Sequence, residues 1–416
     1  MRIGKVDEKM SSMVIKLNLE KYKLDAEAIL VIDSVESTTP AKGGIRIHPN
    51  VTEEEIASLA SEMTRKCTLA GLPFGGAKGG IRLADYGEVE KAMYAFGREL
   101  SKIEFLPYKW CAAPDVNTDS TAVDAFVAGC ASVKGWRKAR IAATGKSSGI
   151  PHELGSTAYG AVLCAEKAIA HLRLPFALPS AAAIVEGIGE VGGNAIKILL
   201  EKGVKILGVS DISGAIYCEA GLPGEALCAL IDQKGTIAQQ KGAFAGATFH
   251  PDSRWLLEQE ADILLLAGPG RSIHAENVRK IQARLIVEGA NIAYTDMAAR
   301  EEINRRGVIS IPGIIANSGG VISSYEEWLL EQQDLMNLPI EKKWARVRSS
   351  IDEKIGRNMQ ELCERMLRKP GAAPYIHALE LAADRQKELR DSTRSLRKQT
   401  KSINTDLEKK FAVFTT

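Results

Sequence analysis

A short buried strand that runs straight into Gly187-Ile188-Gly189-Glu190-Val191-Gly192 and out into a helix limits this chain more than any other feature. The strand is expected at Ala182–Glu186 and the helix over Asn194–Lys202. A second strand over Val204–Ser210 ends at Asp211. A lone GxGxxG says little. Set between a strand and a helix, with an acid about 20 residues on at a strand end, it specifies a dinucleotide-binding βαβ unit. Its glycines let a pyrophosphate approach the helix N-terminus, where free N–H groups and the dipole favour anions. Further strands are expected at Asp262–Ala267, Leu285–Glu288 and Val308–Ile311, alternating with helices as in a parallel sheet.

The fingerprint lies in mid-chain, and 416 residues are too many for one compact core, so a second domain is expected ahead of it. A net charge of +2 gives no reason to expect nucleic acid or membrane as the main partner. The seven cysteines form no CxxC and no metal-ligand spacing, which reads as reduced, buried thiols in a cytoplasmic protein without a metal. The first ten residues lack the apolar core of a signal peptide, and no apolar run is long enough to span a bilayer.

In the first 150 residues, 1–34 read as a helix or two followed by a short strand at Ile29–Ile32. Ile45-Arg46-Ile47-His48 alternates as a strand does. Thr52 to Glu55 forms a capping box and should start a helix with apolar positions Ile56, Leu59, Ala60 and Met63. At 100° per residue Lys66 falls about 20° from Leu59, so it points inward or snorkels out along its stem. Lys78 follows between Gly75-Gly76 and Gly79-Gly80. Held in such a glycine loop away from water, its ammonium would lose solvation and its pKa would fall; the alternative is a mobile loop with a solvated lysine. An amphipathic helix is expected near Val89 to Ile103. Asp115, in Ala-Pro-Asp-Val-Asn-Thr, has the look of a cap for the next helix. Beyond Ile315–Val321 a helix should run through Ser324 to Leu330, and the remainder reads as mostly helical. Residues 386–416, with eight Lys/Arg against four Asp/Glu, read as a solvated helix or tail, with a basic binding arm the lesser alternative.

Taken together, KGGIRIHP, MTRKCTLAGLPFGGAKGG, APDVNT, GIGEVGG, IVEGAN and NSGGVISSYEEW, in that order from Lys42 to Trp328, resemble the amino-acid dehydrogenases of glutamate, leucine, phenylalanine and valine. The glutamate branch is the nearest, and the spacings Lys42 to Lys66 (24) and Lys66 to Lys78 (12) agree with it. The resemblance implies a two-domain α/β fold. An N-terminal substrate-binding and oligomerisation domain (1–147) would be joined by C-terminal helices (321–416) packing back onto it, and a Rossmann-like domain would span 148–320. It implies that Lys66 holds the substrate α-carboxylate, that Lys78 activates water, and that Asp115 shuttles protons. Thr157 and Asn291 would line the nicotinamide pocket, with Gly187, Gly189, Glu190, Val191, Gly192 and Asp211 on the rest of the cofactor. Lys42 and Ser324 match positions that bind the second carboxylate of glutamate. An unpaired buried ammonium at Lys42 would penalise leucine. The implied reaction is reversible oxidative deamination of L-glutamate to 2-oxoglutarate and ammonia, in a homo-oligomer, commonly a hexamer. Asp211 favours NAD, since its carboxylate can bind ribose hydroxyls and repel a 2′-phosphate, while NADP stays open.

The chain departs from the family pattern at Ala41, usually aromatic in the glutamate branch, and at Glu190, usually asparagine. It departs again in SSGIPHELGSTAYG after Lys146, in Leu266–Arg271 beside the cofactor, and in Ala293-Tyr294. Two rival functions follow: a branched-chain or aromatic amino-acid dehydrogenase, and a nucleotide-binding regulatory homologue without turnover. The intact Lys66, Lys78 and Asp115 argue against the second.

Overall fold

The structure is a computed structural model that describes residues 2–3, 12–33 and 40–389. Two seven-stranded sheets divide the chain. The first is built from β1 (Arg2–Ile3), β2 (Met13–Asn18), β3 (Glu27–Ile32), β4 (Ala41–Lys42), β5 (Ile45–Ile47), β6 (Gly75–Arg82) and β7 (Trp110–Cys111). Its order is β1-β2-β3-β6-β4-β7, with β5 also paired to β6. β2, β3 and β6 run antiparallel, whereas β4 and β5 lie parallel to β6.

Here the structure corrects two expectations. Residues 13–18 form a strand, paired with β3 from Met13↔Ile32 to Asn18↔Glu27, and not a helix. Ile15 and Leu17 point into the core while Lys16 and Asn18 do not, the period of two that a half-buried strand requires. The segment holding Lys78 is likewise no loop but β6, with Lys78 opposite Val31. Its glycines serve close packing. A Cβ on Gly76 would come within 2.3 Å of the Ala60 carbonyl oxygen and the Thr64 nitrogen, and one on Gly80 within 2.6 Å of Ile56. Ala60, Thr64 and Ile56 all belong to α1 (Glu53–Leu69). Lys78 is therefore the side chain that emerges between two bare positions on the face of the sheet that α1 covers.

Thr52 starts α1 as expected, its side chain accepting from the Glu55 amide at 3.2 Å. Opposite α1, α2 (Val89–Lys102) and α3 (Ser120–Lys134) close the other face around Phe96, Trp110 and Phe126. The cap of α3 is Asp119, which accepts from Ala122, so Asp115 is free of that task.

The second sheet has β8 (Ala182–Glu186), β9 (Lys205–Asp211), β10 (Gly214–Tyr217), β11 (Thr248–His250), β12 (Ala261–Leu266), β13 (Ala283–Glu288) and β14 (Ile309–Ile311). The order is β11-β10-β9-β8-β12-β13-β14, parallel from β9 to β14 with an antiparallel edge pair. The order reverses between β8 and β12, and such a switch point opens a crevice at the carboxyl ends of the strands. α4 (Ser156–Leu172) and α5 (Glu190–Glu201) pack on Ala183 and Val185 of β8, while Ile184 faces the opposite layer.

α6 (Gly224–Asp232), α7 (Met297–Arg305), α8 (Gly319–Gln332), α9 (Ile340–Arg368) and a last helix over 374–389 complete the described fold. α9 lies on α4, and Arg385 returns to the first unit by donating to the Leu69 carbonyl at the end of α1. From residue 390 on, the tail expected to be solvated lies outside the described residues. None of the described helices is long and apolar enough to cross a membrane.

Candidate active site

Between the two sheets lies a cleft of about 190 Å³. Lys42, Lys66, Lys78, Asp115, Thr157, Asn291 and Ser324 all line it, and so do Glu62, His152 and Asn317. Each arrives on a different piece of structure. Lys42 ends β4, Lys66 lies in the last turn of α1, Lys78 stands on β6, and Asp115 follows β7. Thr157 sits in the first turn of α4, Asn291 follows β13, and Ser324 is on α8.

Lys78 is 5% exposed, and its Nζ lies 3.0 Å from Asp115 Oδ2. Burial pulls its pKa below the ordinary lysine value, and the Asp115 carboxylate only partly offsets that pull. Asp115 also accepts from Arg46 Nε at 2.9 Å, and Arg46 bonds Glu55. Burial pushes the Asp115 pKa upward, but Lys78 and Arg46 outweigh it and hold the carboxyl ionised. The result is a lysine poised toward its neutral form beside an acceptor for protons.

Lys66 does not snorkel into solvent. Its ammonium donates to Asn291 Oδ1 at 2.7 Å and lies 3.0 Å from Glu62, so a side chain of the first unit meets a loop of the second. Lys42 is 1% exposed. It donates to the Ala112 carbonyl at 3.0 Å and, among the described residues, has no carboxylate within ion-pair distance. Burial lowers its pKa, and the fields of Cys111 and Glu327 only partly compensate.

The dinucleotide fingerprint sits at the switch point. Gly187 has φ +83°, and a Cβ there would lie 2.7 Å from the Ala267 carbonyl oxygen. A Cβ on Gly192 would strike the Gly187 carbonyl oxygen at 1.8 Å, whereas one on Gly189 would meet nothing within 4 Å. Two glycines thus bring α5 against the loop and the third leaves room above it, which fits a bound pyrophosphate. α5 starts four residues before the expected Asn194, because that close approach extends the helix through Gly192-Gly193. Glu190 is its first residue and exposed, and Val191 Cγ1 lies near Gly289. Asp211 is held rigidly: Oδ1 accepts from the Ser213 amide (2.7 Å) and hydroxyl (2.5 Å), and Oδ2 from the Ile237 amide (2.8 Å).

Comparison with known proteins agrees with this architecture. The family model for Glutamate/Leucine/Phenylalanine/Valine dehydrogenase matches residues 148–388, and the model for the Glu/Leu/Phe/Val dehydrogenase dimerisation domain matches 17–131. The chain belongs to the Glu/Leu/Phe/Val dehydrogenase family. It is 34% identical over 315 residues to the catabolic NAD-specific glutamate dehydrogenase RocG of Bacillus subtilis, covering 72% of this chain and 69% of that one. It is 35% identical over 304 residues to the NADP(+)-dependent glutamate dehydrogenase of Pyrobaculum calidifontis, covering 70% and 69%. Its fold superposes on the hetero-hexameric glutamate dehydrogenase of Thermus thermophilus with a TM-score of 0.73 at 25% identity, over 91% of this chain and 88% of that one. This dehydrogenase is therefore a nicotinamide-dependent amino-acid oxidoreductase with the two-domain α/β fold of its relatives.

Three residues of the cleft escaped the sequence. Glu62 is legible in principle, four positions before Lys66 on one helix face. His152 stands only in a segment that departs from the family pattern, and Asn317 only as the first residue of NSGGVISSYEEW, with no role read for either.

Proposed function

We propose that this dehydrogenase catalyses the reversible oxidative deamination of L-glutamate to 2-oxoglutarate and ammonia. The observation that carries the proposal is Lys42, a buried ammonium facing the cleft without a carboxylate. A ligand that brings its own distal carboxylate repairs that deficit, with Ser324 as second donor, whereas an aliphatic side chain leaves the charge buried and unpaired.

The remaining assignments follow from position. Lys66 holds the α-carboxylate. Lys78 in its neutral form takes a proton from the attacking water, and Asp115 carries protons to and from the amino nitrogen. Thr157 and Asn291 face the nicotinamide, which accepts the hydride from Cα when bound. Gly187, Gly189, Glu190, Val191 and Gly192 take the pyrophosphate. The fixed charge of Asp211 favours NAD over NADP, by attraction of ribose hydroxyls and repulsion of a 2′-phosphate. Relatives of both specificities occur, so this preference rests on Asp211 alone. The division at 147/148 and 320/321 follows the same assignment.

The test is an initial-rate panel of L-glutamate, L-leucine, L-valine and L-phenylalanine, each with NAD and NADP. Turnover is expected on L-glutamate with NAD, and Lys42→Leu should lower kcat/KM for it by about a hundredfold or more. Faster turnover on an apolar amino acid by the unaltered enzyme would overturn the glutamate assignment. Silence on every pair with cofactor still bound would point to a homologue without turnover.

A further inference from the structure

Glu62 has no part in the mechanism above, yet it lines the same cleft. Standing four residues before Lys66 on α1, it shares that helix face. Its Oε1 lies 3.0 Å from Lys66 Nζ, with the two side chains only 15% and 8% exposed. The two form an ion pair inside the cleft. Oε1 receives no hydrogen bond in donor geometry, although the Lys66 ammonium, which donates to Asn291 Oδ1, stands beside it. A carboxylate oxygen so placed keeps lone-pair capacity for a donor that a ligand in the cleft can bring.

The charges of the cleft point the same way. Counted with Lys78 as its ammonium, the form it holds before giving up its proton, Lys78 offsets Asp115 and Lys66 offsets Glu62, which leaves the positive charge of Lys42. That balance complements a ligand of net charge −1, such as L-glutamate. The keto acid, with two carboxylates and no ammonium, carries −2. Resting on the glutamate assignment, we propose that Glu62 receives the α-ammonium of the amino acid and sets the preference of the cleft for L-glutamate over the dianionic keto acid. With the α-carboxylate on Lys66, the amino nitrogen sits one carbon away and within reach of the carboxylate beside that lysine. Glu62 is then a specificity-determining residue, while proton transfer stays with Asp115.

The experiment is calorimetric binding of L-glutamate, 2-oxoglutarate and glutarate to the full chain. Reduced cofactor is present and ammonia absent, so no turnover occurs. Glutarate keeps both carboxylates and lacks the ammonium, and it should bind the unaltered enzyme about tenfold more weakly than L-glutamate. Glu62→Gln should bring these two within about threefold and shift the affinity ratio about tenfold toward 2-oxoglutarate, while Glu62→Asp, which keeps the charge, retains the original order. Unchanged ratios in a folded Glu62→Gln protein would overturn the proposal and leave the glutamate assignment standing. Glutarate binding the unaltered enzyme as tightly as L-glutamate would do so without any variant. If none of the three ligands binds, the glutamate assignment fails and this inference fails with it.

Discussion

Lys78 is held by opposed influences. Burial favours its neutral amine, and the carboxylate of Asp115 at 3.0 Å favours its ammonium. If the neutral amine is the working form, turnover climbs with pH as Lys78 loses its proton, below the ordinary lysine value of about 10.4. Asp115→Asn removes the carboxylate and leaves burial and the positive charge of Arg46 unopposed, so the pKa of Lys78 falls further. The expected result is a kcat/KM lower by about a hundredfold or more, with the rising limb of its pH profile moved to lower pH. A limb that stays in place or moves to higher pH would remove Asp115 from this role. Lys66 and Lys78 stand out because ionisable groups next to apolar or glycine-rich sequence need a reason to be there, whereas Asp115 reads as a cap and is singled out only by the resemblance. Glu62 sat at readable spacing, but spacing alone does not say whether a helix face meets a cleft or open water.

The seam between α1 and β6 works through missing side chains. Because Gly76 and Gly80 carry none, the helix rests on the strand and brings Lys66 and Lys78 to one cleft. Gly76→Ala would place a methyl against the backbone of Ala60 and Thr64, which cannot rotate away. The expected cost is about 3 kcal/mol in denaturant unfolding, with a raised KM for the amino acid as α1 lifts. An unchanged midpoint and KM would show that the seam can yield. This element also marks how far sequence can be taken. The cap at Thr52 is local chemistry and was readable, whereas eight residues with four glycines carry little strand propensity, and the reason for the glycines lies on α1. The same limit let Asp115 pass for a cap when Asp119, four residues on, holds the helix. Strand β2 showed its alternation, but only the partner strand decides between a short strand and a helical turn.

Two ties hold the molecule together across its halves. Buried Glu327 of α8 accepts from the Gly145 and Ile150 amides, each at 3.0 Å, so a C-terminal helix grips the chain where it passes from the first unit to the second. Arg300 of α7 pairs with Glu288 at the end of β13 through two bonds and lies between the rings of Tyr294 and Tyr375, fastening the last helix to the second sheet. The outside of the first unit is less self-contained. Tyr86, Tyr108 and Trp136 there are 50%, 55% and 65% exposed, on or near the stretch matched by a model named for dimerisation. A homo-oligomer is expected. A light-scattering mass of 45.0 kDa at micromolar concentration would remove that expectation. Within one chain, the bond from Lys66 to Asn291 has a thermodynamic corollary. On the roles proposed above, the donor for the amino acid and the amide beside the nicotinamide share one contact, so whatever changes it on one side would alter the free energy of binding on the other. Linkage then makes the effect mutual: a cofactor that loosens or tightens the grip on the amino acid is itself loosened or tightened by the same factor.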